Sequence, residues 1–558
     1  MMKKRTMKKM GSFILACLMV ISTFATLSTV AYAESNSYKT KINESFGALD
    51  SEELAALTAD PTTYDISVFI EFESSAEELA TLESDDPAER REKAKAYHGN
   101  KNKKLAQALE LEEAYVSRYA PFAEITYDSL EEYEDNWKEI RRIAKSDEVK
   151  DVDVSLLTME NESTKSEEFS DLSYTFAEAF AAIGLTDNNY DGEEFEIGVV
   201  EFSLPDDTSH IPSENYNSYG TGSMLHGRLV TTIIQEVVND VTFHCVNIGS
   251  FDSFSAAIEV VMDIYVHAVN MSFGFPNSHR YDNMAAYVDY LSYMTGCLFV
   301  KSAGNRGEGD GYITSPGCSI NTITVGIANK EGKVSAGSSF LPLTQGLYKP
   351  DLIAPGEGIE FNLVGYDDVY KTWGSSLSAP FVSGIAIKLM DEFPVLAYNP
   401  GLMKAVLIQS CEKLADQTEE HDTYAGAGIV NYENARQIML SGSYRSFNKP
   451  TNAVDGAFLG WTTVTIPANS TMHLYFHALE PGAIPTSVDT EERTLVKSSY
   501  TVEIGRGESI NAFTSQYVTY TNTSSQALDY AVMLYVTENE HVGTLETVYI
   551  AYDFTPVS

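Results

Sequence analysis

The chain is poor in cysteine for its length. It has 5 cysteines in 558 residues, and those after residue 33 are widely spaced with no C-x-x-C pair: Cys245, Cys297, Cys318 and Cys411. This spacing excludes a disulfide scaffold and a zinc site built on cysteine pairs. Cys245 and Cys297 lie in apolar runs, so we expect buried thiols there, with a single disulfide bridge left open.

Positive charge is also scarce. Lysine and arginine number 38 against 80 acidic residues, which gives a formal net charge of -42. Nucleic acid and anionic membranes repel so acidic a surface, so we expect neither as a partner. The length of the chain predicts several domains.

Long apolar runs are confined to the N-terminus. Residues 1–33 have a lysine-rich head, an apolar run from about residue 13 to residue 30, and the ending Ala31-Tyr32-Ala33. These three parts are typical of a secretory signal peptide, and an uncleaved membrane anchor is the alternative. We expect an exported, extracellular protein with no membrane contact after signal removal.

The pattern of apolar and polar residues after residue 33 predicts three structured regions. In residues 34–160, the run DISVFIEF (65–72) alternates like a half-buried strand, a charged helical stretch covers roughly residues 76–118, and shorter strand and helix patterns follow. This region is predicted to be a small α+β domain. Residues 161–174 are polar and acidic and are interpreted as a linker.

Residues 175–443 alternate short apolar runs with helical patterns. The runs are EIGVVEF, VTFHCVNIG, HAVNMSFG, GCLFVKSAGN and NTITVGIAN. Strands that alternate with helices indicate an α/β fold with a doubly wound parallel sheet, in which functional groups gather at the carboxyl ends of the strands. In residues 444–558 only β-rich runs remain, and they predict a separate β-sandwich.

Four polar residues stand at element ends in the α/β region. Glu201 ends EIGVVE, His226 opens a helix, Asn305 follows LFVKSAG, and Ser376 opens the helix of SSLSAPFVSG. A hydroxyl, an imidazole base, a carboxylate that orients the base and an amide that donates to an oxyanion are the groups needed for acyl transfer. Taken singly, the serine is also a good helix cap, a histidine at a helix start is more often a cap or a surface group, and an asparagine after glycine is more often a turn residue.

Together these segments resemble the subtilisin-like serine peptidases, the subtilases. The nucleophile motif G-T-S-M-[AS]-x-P is matched by residues 374–380, the histidine motif H-G-T-x-V by residues 226–230, and the oxyanion motif A-A-G-N by residues 302–305. Residues 270–274 resemble N-M-S-x-G, and residues 349–356 resemble K-P-D-x-x-A-P-G. The resemblance implies a subtilisin-like fold with Ser376 as nucleophile, His226 as base, Asn305 at the oxyanion, and Ser272, Phe273 and Gly274 in the substrate-binding strand.

The carboxylate motif departs from the family. Subtilases have a strand followed by D-[ST]-G, whereas this chain has Glu201-Phe202-Ser203, and Arg228 replaces the usual threonine of the histidine motif. We expect Glu201 to orient His226, and the nearby Asp206 or Asp207 is the alternative carboxylate. An α/β region that has lost turnover and acts as a secreted binding or scaffold protein is the alternative function.

The resemblance also implies a processing history. The α+β region is similar to the family's propeptide, which assists folding and inhibits the enzyme inside the same chain until it is removed. We therefore expect a secreted serine endopeptidase made as a zymogen, acting on proteins or peptides. No cofactor or metal is expected to be required, although calcium is common in the family and stays open because no ligand set matches.

Overall fold

The computed structural model describes most of the chain. The described residues are 42–43, 65–84, 86–157, 173–185, 190–275, 281–307, 312–341, 347–366, 368–482, 484–485, 495–496, 498–505, 510–513, 517–538 and 546–557. The predicted signal peptide and nearly all of the predicted linker lie outside these ranges. Within them, no helix combines the length and the apolar character that a membrane span requires.

The N-terminal unit is a five-stranded sheet with helices. Its elements are β1 (Ile42–Asn43), β2 (Asp65–Phe72), α1 (Ala76–Leu82), α2 (Pro87–Ala108), β3 (Tyr115–Val116), β4 (Phe122–Tyr127), α3 (Leu130–Ile143) and β5 (Val149–Leu157). The strands lie in the order β1-β5-β2-β4-β3. The long helix expected over residues 76–118 is two helices, because Asp86 caps a new helix that begins at Pro87 and ends at Ala108.

β2 is buried on both faces, not on one as its alternation predicts. Val68 and Ile70 pack into the core of the N-terminal unit, whereas Phe69 points the other way. Its ring lies 6.4 Å from that of Phe254 and 6.1 Å from that of Tyr287, both in the central region. The second face is buried because the sheet is docked on another domain.

The central region is built on a seven-stranded sheet in which all the paired neighbours run parallel. Its order is β14-β13-β12-β11-β6-β10-β8. These strands are β6 (Glu196–Glu201), β8 (Tyr216–Tyr219), β10 (Thr242–Asn247), β11 (Ala268–Met271), β12 (Leu298–Ser302), β13 (Ile323–Ala328) and β14 (Leu352–Pro355). Two small sheets join β7 (Leu204–Pro205) to β9 (Ser223–Met224) and β15 (Ile359–Phe361) to β16 (Tyr370–Thr372).

Helices cover this sheet and confirm the predicted doubly wound α/β fold. They are α4 (Phe176–Ala182), α5 (Leu225–Val237), α6 (Phe254–Ile264), α7 (Asn283–Thr295), α8 (Ser375–Glu392), α9 (Pro400–Gln409) and α10 (Tyr432–Ser441). α8 is buried from its first residue to Met390 and packs on α5 and on strands β11 to β14. The approach of the two helices is close, since a Cβ on Gly384 would lie 2.7 Å from Val237.

The C-terminal region is a β-sandwich, as predicted. Its elements are β17 (Tyr444–Lys449), β18 (Phe458–Ile466), β19 (Ser470–Ala478), β20 (Ile484–Pro485), β21 (Leu495–Val496), β22 (Ser499–Gly505), β23 (Ile510–Phe513), β24 (Tyr517–Asn522), β25 (Leu528–Glu538) and β26 (Glu546–Pro556). Two four-stranded antiparallel sheets, β17-β26-β19-β24 and β18-β25-β22-β23, enclose a common apolar core. The sandwich packs on α9 through β19 and β26.

Two carboxylates of the N-terminal unit cap helices of the central region. Glu124 of β4 accepts from the backbone N–H of Phe254 at 3.3 Å and of Ser255 at 2.8 Å, where α6 begins. Asp153 of β5 accepts from the N–H of Asn283, the first residue of α7, at 3.1 Å. The first N–H groups of a helix lack partners within it and attract negative charge, so both contacts stabilise the docked arrangement.

Two buried charges of opposite sign complete this interface. Glu259 of α6 is fully buried and accepts from the hydroxyl groups of Tyr115, at 2.8 Å, and Ser117, at 2.5 Å, and from the N–H of Arg118 at 3.1 Å. Arg91 of α2 is 2% exposed and donates to the carbonyl oxygen of Thr295, which ends α7, at 2.6 Å. Each buried charge therefore has partners across the interface.

The cysteines after residue 33 are free thiols. Cys245 and Cys297 are buried, as predicted, and neither forms the single bridge that the sequence left open. Burial raises the pKa of both thiols, which makes them poor nucleophiles.

Candidate active site

Glu201 ends β6, which lies between β11 and β10 in the interior of the parallel sheet. Its side chain is buried, with 2% of the residue exposed. Oε1 accepts a hydrogen bond from the backbone N–H of Ser272 at 2.9 Å, just after the neighbouring strand β11. Oε2 lies 3.3 Å from Nδ1 of His226. One oxygen therefore anchors the carboxylate to the sheet, and the other faces the imidazole.

His226 is the second residue of α5, and its side chain is 21% exposed. Because Nδ1 faces Glu201, Nε2 lies on the opposite side of the ring, and the contact favours the tautomer with hydrogen on Nδ1. The glycine that follows explains how the helix comes so close to β6. A Cβ on Gly227 would lie 2.7 Å from the backbone oxygen of Ser203, in the turn after Glu201.

Gly374 brings the predicted nucleophile and the predicted oxyanion donor to one point. Its φ of +151° belongs to a region that favours glycine. A Cβ at this position would lie 3.0 Å from Oγ of Ser376 and 3.0 Å from Nδ2 of Asn305. The missing side chain thus leaves a gap bordered by a hydroxyl and an amide. Ser376 is buried, and its Oγ makes no hydrogen bond to the residues that the structure describes.

Ser375, in the place of the family's threonine, fixes the amide of Asn305. Its N–H and its Oγ–H donate to Oδ1 of Asn305 at 2.7 Å and 3.0 Å, and its Oγ accepts from the N–H of Gly304 at 2.9 Å. With Oδ1 held, Nδ2 is directed to the gap. Ser375 and Ser376 do not cap α8, whose N-cap Gly374 has no side-chain hydrogen bond. The sequence alone did not predict this role for Ser375.

Asp207 has a partner other than His226. Its carboxylate lies 3.2 Å from the guanidinium of Arg228, which also donates to the carbonyl oxygen of Val364 at 3.1 Å. Hydrogen bonds from Ser209 lower the pKa of Asp207, and the positive charge of Arg228 lowers it further. Asp206 is exposed. Glu201 is therefore the carboxylate that faces the imidazole, and Arg228 ties α5 to the hairpin of β15 and β16.

The three residues predicted to bind substrate follow β11, and all are buried. Ser272 contacts Glu201 through its N–H and accepts from Nδ2 of Asn270 at 2.9 Å. The ring of Phe273 lies in an aromatic cluster, 5.3 Å from the ring of Phe202 and 5.5 Å from that of Phe275. A Cβ on Gly274 would overlap Thr314, at 1.9 Å from its Oγ1. Their role in substrate binding stays a prediction.

A buried lysine beside the candidate oxyanion site was missed. Lys301 of β12 is 0% exposed, and its Nζ donates to the carbonyl oxygen of Ser302 at 2.5 Å, to Oγ of Ser302 at 3.1 Å and to Oγ1 of Thr314 at 3.1 Å. The signal was present, because lysine is the one charged residue in the apolar run GCLFVKSAGN. Thr314 carried no signal, since its role depends on which strands its loop contacts.

Among the described residues, no group of three or more histidine, cysteine, aspartate or glutamate side chains has the arrangement of a metal site. The expectation that no metal or cofactor is required stays a prediction, as does the possible use of calcium.

Comparison with known proteins identifies a family match in the central region and relatives of the chain. Residues 209–428 match the subtilase family. Pyrolysin of Pyrococcus furiosus is 28% identical over 209 residues, which are 31% of this chain and 15% of pyrolysin. The serine protease AprX of Bacillus subtilis is 30% identical over 165 residues, which are 26% of this chain and 36% of AprX. The matches thus span well under half of either relative, and the family match begins after Glu201.

One solved structure aligns with most of this chain. Fervidolysin from Fervidobacterium pennivorans, described as a keratinolytic enzyme related to subtilisin, aligns over 88% of this chain and 86% of its own, with 13% identity and a TM-score of 0.49.

Proposed function

Because residues 209–428 of this chain belong to the subtilase family, we propose that the protein is a serine endopeptidase that acts on proteins or peptides. Ser376 is the nucleophile, His226 the general base and acid, Glu201 the carboxylate that orients the imidazole, and Asn305 a donor to the oxyanion. The observation that carries the proposal is the 3.3 Å contact between Nδ1 of His226 and Oε2 of Glu201, since it presents Nε2 as a base.

Acylation begins at Ser376. Its Oγ attacks the carbonyl carbon of the peptide bond, and its proton passes to Nε2 of His226. The imidazolium then gives this proton to the leaving amine as the C–N bond breaks, which leaves an acyl group on Oγ. A water molecule reverses the sequence: it gives a proton to Nε2 and attacks the acyl carbon, and the proton returns to Oγ as the acid product leaves.

Glu201 stabilises the imidazolium in both half-reactions. The carboxylate is buried, so its charge is screened less by water than that of an exposed group. Its hydrogen bond from Ser272 holds one oxygen and leaves the other to His226. The longer side chain of glutamate thus spans the distance between the N–H of Ser272 after β11 and the imidazole of His226 on α5.

The negative charge that develops on the substrate oxygen is met by two donors. Nδ2 of Asn305 borders the gap at Gly374, and the N–H of Ser376 lies in the first turn of α8, where N–H groups have no partner in the helix. One such donor typically contributes about 10²- to 10³-fold to kcat. Ser375 supports this role because it holds the opposite end of the asparagine amide.

We further propose that the protein is secreted as a zymogen and that the N-terminal unit is its intramolecular inhibitor. Support comes from the signal-like residues 1–33 and from the docking of the N-terminal sheet on α6 and α7. Glu259 and Arg91 are buried and have partners across this interface, and a buried charge that loses its partner is strongly destabilising, so the docked arrangement resists partial opening. Processing is expected between about residues 155 and 171, a range that overlaps the predicted linker.

The proposal is tested by expressing three forms of the full chain: wild type, Ser376→Ala and Asn305→Ala. We expect the wild type to release the N-terminal unit and to cleave quenched peptides, Ser376→Ala to keep that unit and lack activity, and Asn305→Ala to cleave about 10²- to 10³-fold more slowly. If wild type and Ser376→Ala have the same size and neither cleaves peptides, the binding or scaffold function is favoured instead.

A further inference from the structure

We propose that Thr314, held in place by Lys301, fills the crevice beside the nucleophile, so that the protein cleaves after residues with small side chains: glycine, alanine and serine. This inference rests on the proposed peptidase function and names its substrate class. It concerns the residue on the amino side of the cleaved bond. The side chain of this residue is attached to the α-carbon that is bonded to the reacting carbonyl carbon.

The position of that side chain follows from the oxyanion donor. With the substrate oxygen at Nδ2 of Asn305, we place the adjoining side chain in the space next to Gly304, the preceding residue. The opposite wall is the backbone of residues 272–274. The two walls run side by side because they continue β11 and β12, which are adjacent parallel strands. The crevice is therefore the space between Gly274 and Gly304.

Thr314 already occupies this space. A Cβ on Gly274 would lie 1.9 Å from Oγ1 and 2.3 Å from Cβ of Thr314, and a Cβ on Gly304 would lie 2.8 Å from Oγ of Ser339 and 3.4 Å from Cγ2 of Thr314. The residue is 2% exposed, and its N–H donates to the carbonyl oxygen of Ala303 at 3.2 Å. The threonine side chain is thus in contact with both walls, and little depth is left for a substrate.

Lys301 prevents Thr314 from turning aside. Oγ1 of Thr314 accepts from Nζ of Lys301 at 3.1 Å, and two further acceptors, the carbonyl oxygen and Oγ of Ser302, fix the ammonium group. Rotation of the threonine would break a hydrogen bond to a buried charged group, which is more costly than losing one between neutral groups. Lys301 acts through Thr314 and is a positioning residue.

The experiment uses processed protein and quenched peptides that differ only in the residue before the cleaved bond: alanine, leucine or phenylalanine. We expect the wild type to prefer alanine over phenylalanine by at least about 100-fold in kcat/KM, since one methylene group alone shifts such ratios by about 10- to 200-fold. Thr314→Gly should reduce this preference at least about 10-fold, and Thr314→Ala should reduce it less. Lys301→Met should lower the ratio of cleavage after alanine to cleavage after leucine, by less than Thr314→Gly does.

Thr295→Ala is the matched control. Thr295 is also a fully buried threonine, its hydroxyl bonds to the carbonyl oxygen of Leu291 in α7, and its removal should leave the preference unchanged. Titration of each variant with a fluorophosphonate counts intact sites and separates misfolding from altered preference.

A wild type that is labelled but prefers phenylalanine or leucine overturns the inference and leaves the proposed function standing. An unchanged preference in both Thr314 variants, with labelled sites intact, also overturns it. A wild type that is neither labelled nor active contradicts the proposed function itself.

Discussion

Nδ1 of His226 and Oε2 of Glu201 lie 3.3 Å apart, and the second carboxylate oxygen is held by the N–H of Ser272. A glutamate at the end of β6 therefore reaches the imidazole although the family's motif has the shorter aspartate. The carboxylate of Glu201 therefore contacts two segments that are distant in the sequence: the end of β11 at Ser272 and the start of α5 at His226.

Glu201→Gln should lower kcat by about 10⁴-fold without unfolding the protein, because an amide keeps the volume but cannot stabilise an imidazolium. Glu201→Asp should cost less, about 10²-fold, because the charge remains but the carboxylate is drawn back by roughly an ångström. Steady-state kinetics on the processed enzyme measures both. Equal kcat values for wild type and Glu201→Gln would mean that another group orients His226.

Ser375→Ala should lower kcat about 10-fold with little change in KM, because the hydroxyl that joins the N–H of Gly304 to Oδ1 of Asn305 is lost while the N–H of Ser375 still holds the amide. Ser375→Thr retains the hydroxyl and should restore most of the activity. Failure of threonine to restore kcat would indicate that the serine acts through packing alone.

Gly374→Ala should lower kcat by more than about 10²-fold, as expected when an oxyanion donor is blocked. The added methyl group would lie 3.0 Å from both Oγ of Ser376 and Nδ2 of Asn305, in the space where the substrate oxygen must sit. The positive φ adds strain of about 1 to 3 kcal/mol, which denaturant unfolding measures separately from the kinetics. A variant that is destabilised but retains full kcat would show that the gap is not used in catalysis.

His98 should make the docked N-terminal unit sensitive to acid. It is fully buried on α2, with Nε2 2.9 Å from the hydroxyl of Tyr290 on α7, and burial lowers its pKa to about 3, with smaller effects from Lys101 and Glu78. Because the folded-state pKa lies below the ordinary histidine value of 6.5, the stability from neutral His98 is present above pH 6.5 and is lost as the pH falls toward 3.

Between pH 7 and pH 5 this loss amounts to about 2 kcal/mol in the free energy of unfolding. His98→Gln should remove it. Both proteins are compared by denaturant unfolding in the inactive Ser376→Ala background, which prevents self-digestion. If the free energies of unfolding of the two proteins fall by the same amount between pH 7 and pH 5, His98 is not the group responsible for the loss.

The apolar runs of the central region were sufficient to predict a parallel sheet, because strands buried on both faces need continuous apolar sequence. β2 has no such continuous apolar run. Its alternation predicts one buried face, and Phe69 is buried on the other face because the N-terminal sheet is docked on α6 and α7. A docking partner leaves no periodic signal in the strand itself.

The residues of the candidate site likewise fall into those that the sequence could predict and those that it could not. Glu201, His226, Asn305 and Ser376 could be singled out because each stands at the end of an element, where polarity is not needed for packing. Ser375, Lys301 and Thr314 depend on contacts between segments distant in the chain. Of these three, only Lys301 could have been noticed in the sequence, because it is a charged residue within an apolar strand.

The most direct test of the account is covalent labelling of the processed protein with a fluorophosphonate, followed by mass spectrometry of the modified peptide. The account predicts one label, on Ser376, formed rapidly in the wild type, much more slowly in Glu201→Gln, and absent from Ser376→Ala. A well-folded wild type that takes up no label, or takes it up on another residue, would contradict it.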